Sequence, residues 1–217
     1  MPNRLSRAPL ALIVGGVPRD ASDAELAVGL MARQDWALGE TWRRFAPMVL
    51  RTAERVLGSR PEAEDVAQEV FYQVFRRART LRDPASLRSF VYSFVVRVLK
   101  SELRRRRRRR LLFLGLPSAA EDTLDATAAD VESRELLLRF NVLLDRLSAR
   151  DRLVFVLRRM EAMTVQEIAA TMDLSISTVK RAMAHASSRL AHWVDIDPGL
   201  AAFVESKGGP RHDRPER

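Results

Sequence analysis

The chain has 217 residues, enough for one or two domains with real cores. Its formal charge of +9 points to a polyanionic partner. Cysteine is absent and the three histidines (His185, His192 and His212) stand at no ligand spacing, so a disulfide framework, a thiolate metal site or a histidine metal motif is not expected. No apolar run approaches the ~20 residues of a membrane span.

Arg4 and Arg7 precede a short apolar run, Ala8 to Val14, that faintly resembles a secretory leader. Gly15-Gly16 and Pro18 break it and no small-residue cleavage site follows, so residues 1–20 read as a poorly ordered extension. Ser22-Asp23-Ala24-Glu25 has capping-box spacing and opens a short helix with Leu26 and Leu30 on one face. Asp35 is placed to cap the next helix, where Leu38, Trp42, Phe45, Val49, Ala53 and Val56 keep helical spacing. Pro47 should kink that helix or remove one hydrogen bond, and Gly58 is a C-terminal stop.

Ser59-Arg60-Pro61-Glu62 is another capping-box match with Pro in the first turn. Val66, Val70, Phe71, Val74 and Phe75 form the buried stripe of this helix, which leaves Asp65, Gln68 and Glu69 toward solvent or a partner. A basic loop, Arg79 to Arg82, leads to Asp83-Pro84, an N-cap and first-turn pair. In the long helix that follows, Leu87, Val91, Phe94 and Val98 repeat at helical spacing, with Phe90 and Tyr92 away from the stripe's centre. It runs into seven consecutive arginines, Arg104 to Arg110.

Residues 76–110 hold fourteen Lys or Arg against Asp83 and Glu102, a net of +12. The chain totals +9, so all other residues sum to −3. Adjacent arginines repel one another on a helix unless phosphates neutralise them or the run is a solvated end. Aromatics just upstream favour nucleic acid. Beyond Pro117 the composition inverts to an acidic linker with Glu121, Asp122, Asp125, Asp130 and Glu132.

An apolar pattern resumes from Leu136 to Leu147, and Ser148 caps a helix carrying Leu153, Val156, Leu157 and Met160. Thr164-Val165-Gln166-Glu167 is a capping box opening a short helix with Ile168, Ala169 and Met172 on one face. Asp173-Leu174-Ser175 breaks it, Asp tolerating the left-handed turn and Ser capping a second helix. There Val179, Met183, Ala186 and Leu190 form the buried stripe, opposite Ser177, Thr178, Lys180, Arg181 and His185. Short and basic side chains on the second of two such helices suit a helix-turn-helix whose second helix enters the DNA major groove. The plainer reading is an αα-hairpin in a helical bundle. Trp193 closes this unit, and Asp197-Pro198 starts one more short helix with Leu200, Phe203 and Val204. No strand pattern of any length occurs, so the fold expected is all-α.

Five stretches carry a family resemblance: Glu62 to Phe71, Ser89 to Arg97, Ser101 to Arg106, Leu147 to Arg158, and the helix-turn-helix itself. Together, over about residues 22–193, they resemble an extracytoplasmic-function sigma factor of bacterial RNA polymerase. The resemblance implies two small helical domains. Residues 21–114 would be the region-two domain and 135–194 a winged-helix-like region-four domain. Residues 115–134 form the acidic linker and 195–217 a C-terminal tail.

The resemblance also implies roles. Asp65, Gln68 and Glu69 would dock on the clamp coiled coil of the β′ subunit, and the β flap would be a second polymerase contact. Arg79, Phe90, Tyr92, Arg97, Lys100, Arg104 and Arg105 would bind and melt the minus-ten element. Ser177, Thr178, Lys180, Arg181 and His185 would read the minus-thirty-five element. Core RNA polymerase and promoter DNA are the implied partners, with an anti-sigma factor as is usual in the family. A small-molecule substrate, a cofactor and catalysis are not implied, and the location would be cytoplasmic.

The chain departs from the family's common Trp at Phe90, Asn at Arg97, Asp at Ser101 and Arg at Ala182. An autonomous helix-turn-helix regulator is the competing reading, but it gives no role to the acidic helix or the aromatic-basic helix. A nuclease fails on its inventory of metal ligands.

Overall fold

A computed structural model of the chain describes residues 21–112 and 128–206. Among these residues the regular structure is nine α-helices and two single 3-10 turns. The helices are α1 (Asp23–Met31), α2 (Asp35–Leu57), α3 (Arg60–Arg77), α4 (Leu87–Leu112), α5 (Ala128–Asp145), α6 (Ala149–Arg159), α7 (Val165–Met172), α8 (Ile176–Ile196) and α9 (Pro198–Ser206).

Local signals set most helix ends. Ser22 with Glu25, and Thr164 with Glu167, form complete capping boxes. Ser148 and Ser175 cap α6 and α8 through their hydroxyls. Gly58 ends α2 at φ 68°, and Asp173 ends α7 at φ 54°. α2 continues through Pro47.

Two expected caps are absent. Gln34, not Asp35, is the N-cap of α2, and Ser59 makes no side-chain cap bond to α3. The carboxylate needed for a box at Ser59 belongs to Glu62, which instead pairs with Arg106 on α4. Asp83 does cap, but onto a 3-10 turn, Pro84–Ser86, that precedes α4.

Helices α1 to α4 pack around Leu26, Leu30, Val49, Val70, Phe71, Val95 and Leu99, all essentially inaccessible. Arg44 ties α1 to α2 by bonding Asp23, the Ala21 carbonyl and the buried Glu40. The same apolar core continues into Leu153, Val156, Leu157, Ile168 and Val179 of α6, α7 and α8. α6 therefore lies against α2 and α4, and α7 against α4, so the helix-turn-helix does not stand apart on its linker. A second, smaller core joins α5, α8 and α9 through Leu143, Leu144, Leu147, Ala186, Leu190 and Leu200. Trp193 packs against it, with the Arg146 and Arg189 guanidinium carbons 5.7 and 5.0 Å from its ring centre. The stretch 113–127, which holds most of the acidic linker, lies outside the described residues, as do residues 1–20 and 207–217.

Candidate nucleic-acid interface

α3 buries Ala63, Val66, Ala67, Val70, Phe71 and Val74, which forces Asp65, Gln68 and Glu69 to the outside. Tyr72, 58% exposed, lies further along the same face. Sequence patterning alone does not single it out, although its spacing of seven from Asp65 is the signal that finds it. Gln73 donates to Glu69 at 2.6 Å, so the face is partly preset.

On α4, successive residues turn by about 100°, which lines up Phe90, Arg97, Ser101, Arg104 and Arg108. Phe90 is half-buried and meets Phe94 edge-on at 4.9 Å. Arg97 is exposed, its guanidinium carbon 5.0 Å from the centre of the Phe94 ring. Ser101, Arg104 and Arg108 are exposed and Lys100 is half-buried. Arg79 is exposed in the preceding turn. One half-buried aromatic at the head of the strip is thus followed by exposed cations, a surface able to stack a base and hold a strand.

Tyr92 does not belong to that strip. Expected away from the centre of the buried stripe, it is only 4% exposed and faces the loop between α6 and α7, and α7 itself. Its hydroxyl lies 3.5 Å from the Glu161 carboxylate. Burial, then the charge of Glu161, pushes its phenol above the usual range. Arg55 donates to the Glu161 carboxylate at 2.9 Å and also to the Met160 carbonyl.

The arginine run is not uniform. Arg106 pairs with Glu62 and donates to the Leu57 carbonyl at 2.8 Å, which makes it a structural residue. Arg105 and Arg109 pair with Glu102 at 2.8 and 3.0 Å. Arg104, Arg107 and Arg108 point outward.

On α8, Val179, Ala182, Ala186 and Leu190 are buried, and Met183 is half-buried. Ala182 therefore belongs to the core side. Ser177, Lys180, Arg181 and His185 are exposed, with Thr178 half-buried. The hydroxyls of Ser177 and Thr178 lie 3.0 and 2.8 Å from that of the cap Ser175. His185 is held from α6: its Nδ1 lies 3.0 Å from a carboxylate oxygen of Asp151.

An acidic face, an aromatic-basic strip and a helix-turn-helix define a class: a helical transcription protein with separate protein-docking and DNA-binding surfaces. Comparison with known proteins narrows this. Residues 41–109 match the family description of sigma-70 region 2, and residues 137–190 that of sigma-70 region 4. The ferric citrate uptake sigma factor FecI of Escherichia coli is 32% identical over 137 residues, 61% of this chain and 76% of FecI. The ECF RNA polymerase sigma factor SigM of Mycobacterium tuberculosis is 26% identical over 81% of this chain and 86% of SigM. In fold the chain is similar to CnrH, solved in complex with the cytosolic domain of CnrY. That similarity has a TM-score of 0.57 at 23% identity, over 81% of this chain and 98% of CnrH. It is also similar to RpoE of Bartonella quintana, solved with the anti-sigma factor NepR. Here the TM-score is 0.56 at 18% identity, over 73% of this chain and 97% of RpoE.

The chain belongs to the sigma factors of bacterial RNA polymerase, in the extracytoplasmic-function branch. As such it binds core polymerase and promoter DNA and directs transcription initiation. Sigma factors are not enzymes. Among the described residues no helix is long and apolar enough to cross a membrane.

Proposed function

We propose a division of labour among three faces. Asp65, Gln68, Glu69 and Tyr72 on α3 dock on the β′ clamp coiled coil. Arg79 and, on α4, Phe90, Arg97, Lys100, Arg104 and Arg105 bind and melt the minus-ten element. Ser177, Thr178, Lys180, Arg181 and His185 on α8 read the minus-thirty-five element as duplex. Residues 21–114 and 135–194 act as the two functional units, the second also meeting the β flap, and the protein works in the cytoplasm without catalysis of its own. Tyr92 serves minus-ten DNA only after α6 and α7 leave α4. The fold shared with RpoE, solved with the anti-sigma factor NepR, supports an anti-sigma factor as a further partner.

One observation carries this reading. The two helices expose different chemistry: the half-buried Phe90 with cations on α4, short hydroxyls with cations on α8. The first suits unpaired bases, the second base edges in a major groove. The test is promoter binding with and without core polymerase. Full-length protein should shift promoter DNA specifically only when core polymerase is present. Asp65→Lys with Glu69→Lys should abolish holoenzyme formation while helix content by circular dichroism is unchanged. Specific shifts by the protein alone, with full transcription from the double variant, would favour an autonomous regulator.

A further inference from the structure

His185 stands on the outward side of α8, one helical turn beyond Arg181 and two beyond Ser177. Its side chain is 57% exposed, yet one ring nitrogen is already committed. Nδ1 lies 3.0 Å from Oδ2 of Asp151, whose side chain is only 5% exposed. Asp151 sits in the first turn of α6 and is held there: its backbone N–H donates to the cap Ser148 at 3.1 Å. Its other oxygen, Oδ1, lies 3.5 Å from Arg150 Nε. The carboxylate thus reaches across from a second helix to a side chain of the reading face.

A carboxylate offers only acceptors, so the hydrogen in this bond belongs to His185 Nδ1. In a neutral imidazole that leaves Nε2 as a lone-pair acceptor. Nε2 is on the ring edge away from Asp151, the part of the side chain left for a ligand. Hydrogen-bond donors on base edges in the major groove are cytosine N4 and adenine N6, whereas guanine presents only acceptors there.

We propose that Asp151 is a positioning residue for promoter specificity: by fixing the His185 tautomer it makes α8 prefer a base-edge donor, cytosine or adenine, at one base pair. The inference rests on α8 reading duplex DNA, and it adds a residue that never touches the DNA. An asparagine at 151 can turn its amide N–H toward Nδ1. The ring hydrogen then moves to Nε2, which becomes a donor and favours an acceptor, guanine or thymine. The logic is that of Asp-to-Asn changes behind a catalytic histidine, where the wrong tautomer results with geometry intact.

The test has two independent readouts. The first is nitrogen NMR of full-length protein labelled at histidine, at pH ~8.5, about two units above the ordinary imidazole value. His185 is assigned by subtraction with His185→Gln. The second is holoenzyme binding to promoters carrying each base pair in turn across the minus-thirty-five element. Wild type should show hydrogen on Nδ1. Asp151→Asn should move it to Nε2 and shift preference at one base pair from cytosine or adenine to guanine or thymine, by roughly tenfold. His185→Ala should erase discrimination at that same pair, which keeps the test alive if Asp151→Asn folds poorly. An Nε2-bound hydrogen or an imidazolium in wild type overturns the inference. So does a base profile unchanged in both variants. If Arg181→Ala still alters the profile, only the Asp151–His185 inference falls. If Arg181→Ala is also without effect, the duplex-reading role of α8 falls with it.

Discussion

Arg106 and Arg104 are two residues apart in an unbroken arginine run, yet their surroundings assign them different work. Arg106 is 13% exposed in its side chain and bridges α4 to Glu62 and the end of α2. Arg106→Ala should lower unfolding free energy by about 1–2 kcal/mol, less than a fully buried pair because Glu62 is part-exposed. Denaturant midpoints would show it. Arg104→Ala with Arg107→Ala should leave that midpoint in place. Instead it should flatten the slope of log binding constant against log salt, by up to ~0.9 for each duplex phosphate no longer neutralised. The weakening should be alike on all promoter sequences, because phosphate contacts position without specifying. An unchanged slope would mean that these arginines are only solvated.

At the scale of the element, the helix-turn-helix is set by its ends. Thr164 and Glu167 close the box at the start of α7, and the Thr164 backbone N–H and hydroxyl hold the Glu167 carboxyl below its usual range. A lowered carboxyl stabilises the fold above its ordinary range, and that contribution disappears as pH falls through the lowered value. Glu167→Gln should therefore flatten the acid limb of a pH–stability curve while leaving α7 helical. Asp173 occupies the left-handed region at φ 54°. Asp173→Val should cost about 1–2 kcal/mol there, and Asp173→Gly should be near neutral or stabilising. Thermal melts of the two variants check this.

These local features are legible in the sequence because a cap depends on residues three apart. Ser59 has the same spacing and forms no box; its Glu62 pairs instead with Arg106, far along the chain. Tyr92 escapes the helical pattern for a similar reason. Its burial depends on Glu161, 69 positions later, and no periodicity in α4 reports that. Asp151 reads as a first-turn acidic residue and no more, until α6 is set beside α8.

For the whole molecule, the feature of most consequence is the contact between the α1–α4 unit and the helix-turn-helix. A single apolar core spans both, and Arg55 and Tyr92 converge on Glu161, whose side chain is only 4% exposed. Glu161→Ala should weaken this contact by about 1–2 kcal/mol, since Arg55 is more than a third exposed. Hydrogen exchange should then accelerate in α6 and α7 and not around Val70 and Phe71. Identical exchange in both proteins would show that the carboxylate does not secure the contact.

The division between melting and reading is tested most directly by permanganate footprinting on matched promoters, one fully duplex and one with a pre-melted bubble at the minus-ten element. Phe90→Ala holoenzyme should bind the duplex promoter nearly as wild type but open it poorly, and the bubble should restore its open complex. Lys180→Ala with Arg181→Ala should weaken the first binding step, at about 1–3 kcal/mol for each good base interaction removed. The bubble should not restore that binding. Equal rescue of both variants, or rescue of neither, would contradict the assignment of melting to α4 and duplex reading to α8.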